Sequence, residues 1–160
     1  MPGLATALVA WIVIPSQPVE QEGYTLRAVA QHRACALERA VRPRSNGWYP
    51  PDDFTPLIPD VGGTIRVIEA HECAVGMAFT HVIVESGGGH RASILVTRSG
   101  EASERTFRPE VHGDCEVTQV RTTRRRAFVV FDRERSRELR EWREMTTARL
   151  HHFLKQLEGT

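Results

Sequence analysis

The sequence predicts an α+β fold: an antiparallel sheet of four to five strands in two hairpins, packed by an N-terminal and a C-terminal helix. Three observations predict it. Residues 24–41 (YTLRAVAQHRACALERAV) place Leu26, Val29, Ala30, Ala34 and Leu37 at helical spacing. Residues 64–70, 77–85, 91–98, 115–122 and 127–131 are rich in β-branched and aromatic residues, and Gly87, Gly88 and Gly89 join the second stretch to the third as a hairpin loop. Residues 133–157 return to helical spacing through Leu139, Trp142, Thr146, Leu150, Phe153 and Leu157, with charges between them. Helices flanking a run of strands suggest two layers, with the helices on one face of the sheet.

Each element has its boundary signals. Pro43 ends the first helix. An irregular stretch follows, holding Pro43, Pro50, Pro51, Pro56 and Pro59, with Trp48, Tyr49 and Phe54 as anchors onto the core. The second hairpin turns around residues 123–126. Ser136 is placed to cap the last helix, and Gly159 follows its end.

The chain of 160 residues suits one domain. Its 21 Lys+Arg against 20 Asp+Glu leave a net charge of +1, so no overall field draws it to nucleic acid. The local basic cluster, Arg121 with Arg124, Arg125 and Arg126, reads as a solvated turn, because the aromatic interleaving of a single-strand platform is missing from it.

Residues 4–14 (LATALVAWIVI) are apolar and end at Pro15. The run is shorter than the roughly 20 residues that span a bilayer. No Lys or Arg precedes it, as a signal peptide requires. Residues 1–15 are therefore read as a truncated membrane segment or an apolar leader, with a buried core element as the alternative. Residues 16–23 are read as a linker, and 24–158 as a single domain.

No nucleophile elbow, zinc-protease helix or phosphate loop is present, and Asp52 with Asp53 is a lone acidic pair in a Pro-rich loop. What stands out is thiol and imidazole. His32 and Cys35 lie three apart on the first helix; Cys73 and His81 bracket the start of the first hairpin. Together they make a Cys2His2 set able to take zinc or another soft ion. Cys35 and Cys73 are alternatively a disulfide or unlinked thiols. His71 beside Glu72 is set aside for proton transfer, because neighbours on a strand face opposite ways.

The order of features resembles the extracytoplasmic half of bacterial membrane-anchored anti-sigma factors. The residues that carry the resemblance are His32-Arg33-Ala34-Cys35, Gly47-Trp48-Tyr49-Pro50, Val67 to Cys73, Thr80-His81-Val82-Ile83-Val84, the three glycines, Ser93-Ile94-Leu95-Val96 and His112-Gly113. Gln31 stands where that family usually has Asp, and the zinc module that grips the sigma factor has no counterpart in these residues. The resemblance implies a non-enzymatic, membrane-tethered sensor domain acting in transcription regulation. Its membrane attachment would be through residues 4–14, its domain would lie outside the cytoplasm, and a sigma factor would be reached through a missing N-terminal module. The rival expectation is a metal- or haem-binding protein using His32, Cys35, Cys73 and His81.

Overall fold

The structure is a computed structural model and describes residues 17–37, 54, 57–58, 65–74, 78–98, 104–132 and 137–158. The expected membrane segment, the Gly47-Trp48 loop and the Asp52-Asp53 pair lie outside the described residues. Among the described residues, no helix is long and apolar enough to cross a membrane.

Helix α1 (Gln17–His32) opens the described chain and runs directly into a π-helical turn, Arg33–Leu37. The helix takes up residues expected as linker. Pro18 does not prevent this, since proline is tolerated in a first turn, where no N–H bond is lost. The strands follow: β1 (Ile65–Ala74), β2 (Ala78–Ser86), β3 (Arg91–Arg98), β4 (Arg105–Thr106), β5 (Glu110–His112), β6 (Cys115–Arg121) and β7 (Arg125–Asp132). Helix α2 (Arg137–Glu158) closes the chain.

All seven strands form one antiparallel sheet in the order β1-β2-β3-β7-β6-β4, with β5 also on β6. The α+β class holds, but the strand count of four to five does not. The two additional strands, β4 and β5, are two and three residues long, and all but His112 are exposed. They pair along the edge strand without an apolar pattern of their own.

The two helices do not share a face. Strands β2, β3 and β7 send alternate side chains to opposite sides. Val82, Val84, Ile94, Val129 and Phe131 pack with Leu139, Trp142, Leu150 and Leu154 of α2. Phe79, Ile83, Leu95, Phe128 and Val130 pack with Ala28 and Val29 of α1, and with Cys35 and Ala36. The sheet is the middle of three layers, which corrects the two-layer expectation. Strands covered on both faces read as continuous apolar runs, as residues 82–84 and 127–131 do.

One irregularity decides what α1 meets. In the β1–β2 ladder Val67 pairs with Val84, whereas Glu69 pairs with Ile83, so Ile68 is an extra residue in a β-bulge. Without it, Glu69, His71 and Cys73 would keep the phase of Val67 and face α2. The bulge turns all three toward α1, because a one-residue shift exchanges the faces of a strand.

The basic turn also departs from expectation. Thr122 N–H donates to Arg125 O at 2.8 Å, closing the turn before Arg126, which is buried in β7 with its guanidinium 4.0 Å from the Tyr24 ring centroid. Arg121 is also buried, over Phe107. Of the four arginines only Arg124 is an exposed turn residue.

Candidate metal centre

The layer between α1 and the sheet gathers thiol and imidazole groups at the β1–β2 edge. There the bulge and the pleat bring Glu69, His71 and Cys73 onto one face, two residues apart. His71 is the register partner of His81 on β2. Ser93 of β3 faces the same layer. The π-helical turn lowers Cys35 onto this group. Arg91 holds the end of that turn by donating from Nη1 to Ala36 O at 3.0 Å.

The donor atoms converge. Cys35 Sγ lies 3.5 Å from Cys73 Sγ. Cys73 Sγ lies 2.9 Å from His71 Nε2 and 3.3 Å from His81 Nδ1. One ligand atom from each of Cys35, His71, Cys73 and His81 lies within 4.8 Å of the others, and all four residues are buried. Tetrahedral zinc, with bonds near 2.3 Å to sulfur and 2.0–2.1 Å to nitrogen, requires edges of about 3.8 Å between sulfurs and about 3.5 Å between sulfur and nitrogen. The three separations fall within about 0.6 Å of those edges.

The outer nitrogens are held as well. His71 Nδ1 is 2.7 Å from Glu69 Oε1. His81 Nε2 is 2.7 Å from Ser93 Oγ. Such partners fix the ring orientation and tautomer of a ligating imidazole. The Cys35 thiol is held well below its ordinary range, first by its hydrogen bond with Cys73 and further by His71 and His81, against the opposing effect of burial.

Comparison with protein-family models, curated proteins and solved structures found no match for this chain.

Of the four residues singled out in the sequence, Cys35, Cys73 and His81 meet and His32 does not join them. His32 Nδ1 instead lies 2.8 Å from Ser93 Oγ, the hydroxyl that also meets His81. The cause is local. The three-residue spacing puts His32 and Cys35 on one face only of a regular α-helix, and the wider π turn that begins at Arg33 rotates Cys35 away. Burial, followed by the charges of His81 and Arg33, pushes the His32 pKa down to about 3, so its imidazole is neutral at pH 7.

His71 is the residue that sequence reasoning missed. The signal was present in Glu69-x-His71-x-Cys73, whose period of two aligns the three side chains on one strand face. Weighing His71 against its neighbour Glu72 concealed it. The Cys35 and Cys73 sulfurs stand unbonded, 3.5 Å apart.

Proposed function

We propose that this chain is a non-enzymatic sensor domain whose input is a soft transition-metal ion, zinc or copper(I), held by Cys35, His71, Cys73 and His81. The observation that carries the reading is the convergence of four buried donor atoms of the right kinds within 4.8 Å. Two thiolates and two neutral imidazoles balance the charge of a divalent ion, so the loaded centre buries no net charge. Four protein ligands close the coordination sphere, as in structural rather than catalytic sites. They also leave no positions for a porphyrin, which disfavours haem.

The centre joins α1 to the sheet, so loading would fix the helix end and unloading would release it. That release is the output of the regulatory domain, and the resemblance to anti-sigma factors supplies the context: a tethered domain passing an envelope signal to transcription.

The reduced chain is expected to retain zinc through equilibrium dialysis, and Cys73→Ser to lose one bound equivalent while keeping its circular dichroism spectrum. If the reduced wild-type chain binds neither zinc nor copper(I), the reading fails.

The 3.5 Å between the two sulfurs supports a second reading, a dithiol sensor. Oxidation by hydrogen peroxide would remove two electrons and two protons from Cys35 and Cys73, form the S–S bond and leave two waters. Metal binding is favoured over it, because a disulfide would use two of the four converging donor atoms whereas a metal ion would use all four. Sensitivity of stability to a reductant but not to a chelator would reverse that preference.

A further inference from the structure

The four-ligand cluster leaves the buried imidazole of His32 unused. His32 is 0% exposed, and its Nε2 has no hydrogen-bond partner among the described residues. Near His32 lie Cys115 and Asp132, register partners on β6 and β7. A ligand atom from each of His32, Cys115 and Asp132 lies within 4.8 Å of the others. With Nδ1 taken by Ser93, Nε2 is the nitrogen available to this trio. The turn at Gly113, where φ is 65°, brings Asp114 onto the Arg33 guanidinium, so that cation beside Cys115 is already neutralised.

We propose that His32, Cys115 and Asp132 form a second transition-metal site, and that its loading opposes loading of the first through the hydroxyl of Ser93. One imidazole, one thiolate and one carboxylate suit zinc, with a fourth position left open for water or an outside ligand. The site stands on its own geometry, whereas the opposition rests on the function proposed above.

The opposition follows from counting protons. Ser93 has one hydroxyl proton, and its two neighbours are His81 Nε2 and His32 Nδ1. Suppose it donates to His32 Nδ1. Neutral His32 then carries its proton on Nε2 and cannot ligate there, while His81 donates from Nε2 and keeps a lone pair on Nδ1 for the first metal. If the serine donates to His81 Nε2 instead, His81 carries its proton on Nδ1 and leaves the first site, while His32 presents Nε2 to the second. Loading both sites forces both rings to donate to the serine oxygen, and the buried hydroxyl proton is then left without an acceptor. An orphaned buried donor of that kind weakens the second binding event by about 5- to 150-fold.

The test is a zinc titration of the full, reduced chain, with stoichiometry from native mass spectrometry and affinity from a competing chelator. The wild type is expected to take two ions, the second weakly. Cys115→Ser is expected to take one, at the affinity of the first wild-type ion. The double variant C35S/C73S is expected to take one at the Cys115 site, about 5- to 150-fold more tightly than the wild type takes its second. Cobalt loading of the unmutated chain gives a readout that needs no variant: the first equivalent carries the charge-transfer absorption of two thiolates and the second that of one. A wild type that binds one ion, unaffected by Cys115→Ser, overturns the second site and leaves the first. Two ions with the same Cys115-site affinity in wild type and double variant overturn the opposition. A wild type that binds none overturns both sites.

Discussion

His32 on α1 and His81 on β2 share one hydroxyl, with Ser93 Oγ 2.8 Å from Nδ1 of the first and 2.7 Å from Nε2 of the second. All three residues are fully buried. Ser93→Ala therefore strips the partner from two interior imidazoles at once. The expected cost is about 1–3 kcal/mol of folding stability, the penalty for leaving a buried polar group unsatisfied. Urea unfolding with an unchanged m-value checks it. A loss below about 0.5 kcal/mol would mean that the serine is not the hub the geometry describes.

Glu69 acts one step further out. Its carboxylate lies 2.7 Å from His71 Nδ1 and orients that ring toward Cys73. Glu69→Gln keeps the shape and removes the charge. Zinc affinity is expected to fall roughly 10- to 100-fold, the usual penalty for losing a carboxylate behind a ligating histidine. The variant should unfold within about 1 kcal/mol of the wild type when metal-free, since Glu69 is partly exposed. Unchanged affinity in a chelator competition would remove His71 from the ligand set.

Both helices were legible in the sequence, because residues 24–41 and 133–157 place their apolar side chains at helical spacing. The five longer strands were legible from their β-rich composition. What was hidden follows from tertiary context. Runs such as Val82-Ile83-Val84 carry no alternation, and that absence is itself the mark of a sheet covered on both faces, so the helices were wrongly put on one side. The bulge at Ile68 has no local glycine to announce it, yet it sets which face Glu69, His71 and Cys73 occupy. The π turn at Arg33–Leu37 is equally silent in composition, and it separates His32 from Cys35. Three of the four candidate ligands were therefore named from spacing, and the fourth was displaced by one hydroxyl.

The two faces of the sheet predict a separation of effects. Trp142 is buried against β-strand residues on the α2 side, away from the cysteines. Trp142→Phe shrinks that side chain without emptying the site, and about 1–3 kcal/mol of stability is expected to be lost. Metal affinity of the folded variant should stay within about twofold, because distant sites with no shared partners act independently. Thermal unfolding and a zinc competition on the same preparation check both halves. A large change in affinity would show that the sheet transmits strain between its faces.

Glu158 ties the end of α2 to the β6–β7 turn. Its carboxylate accepts from the Thr122 hydroxyl, from Thr123 Oγ1 at 3.1 Å and from Arg124 N–H at 2.9 Å. These bonds, that from Thr122 foremost, hold the Glu158 carboxyl below its ordinary value of 4.5. A depressed carboxylate binds its proton more readily in the unfolded chain, so stability rises with pH wherever that difference is open. The contribution of Glu158 is therefore fully present above about pH 4.5 and is lost as pH falls through its lower folded-state value. Glu158→Gln should cost about 1 kcal/mol at pH 7, where the charge-assisted bonds are intact but near solvent. The gap between variant and wild type should close as the pH is lowered from 5 toward 3, because protonated Glu158 resembles the glutamine. Paired urea titrations across that range would measure it. A gap that stays constant with pH would mean that Glu158 stabilises the turn through its shape and not through its charge.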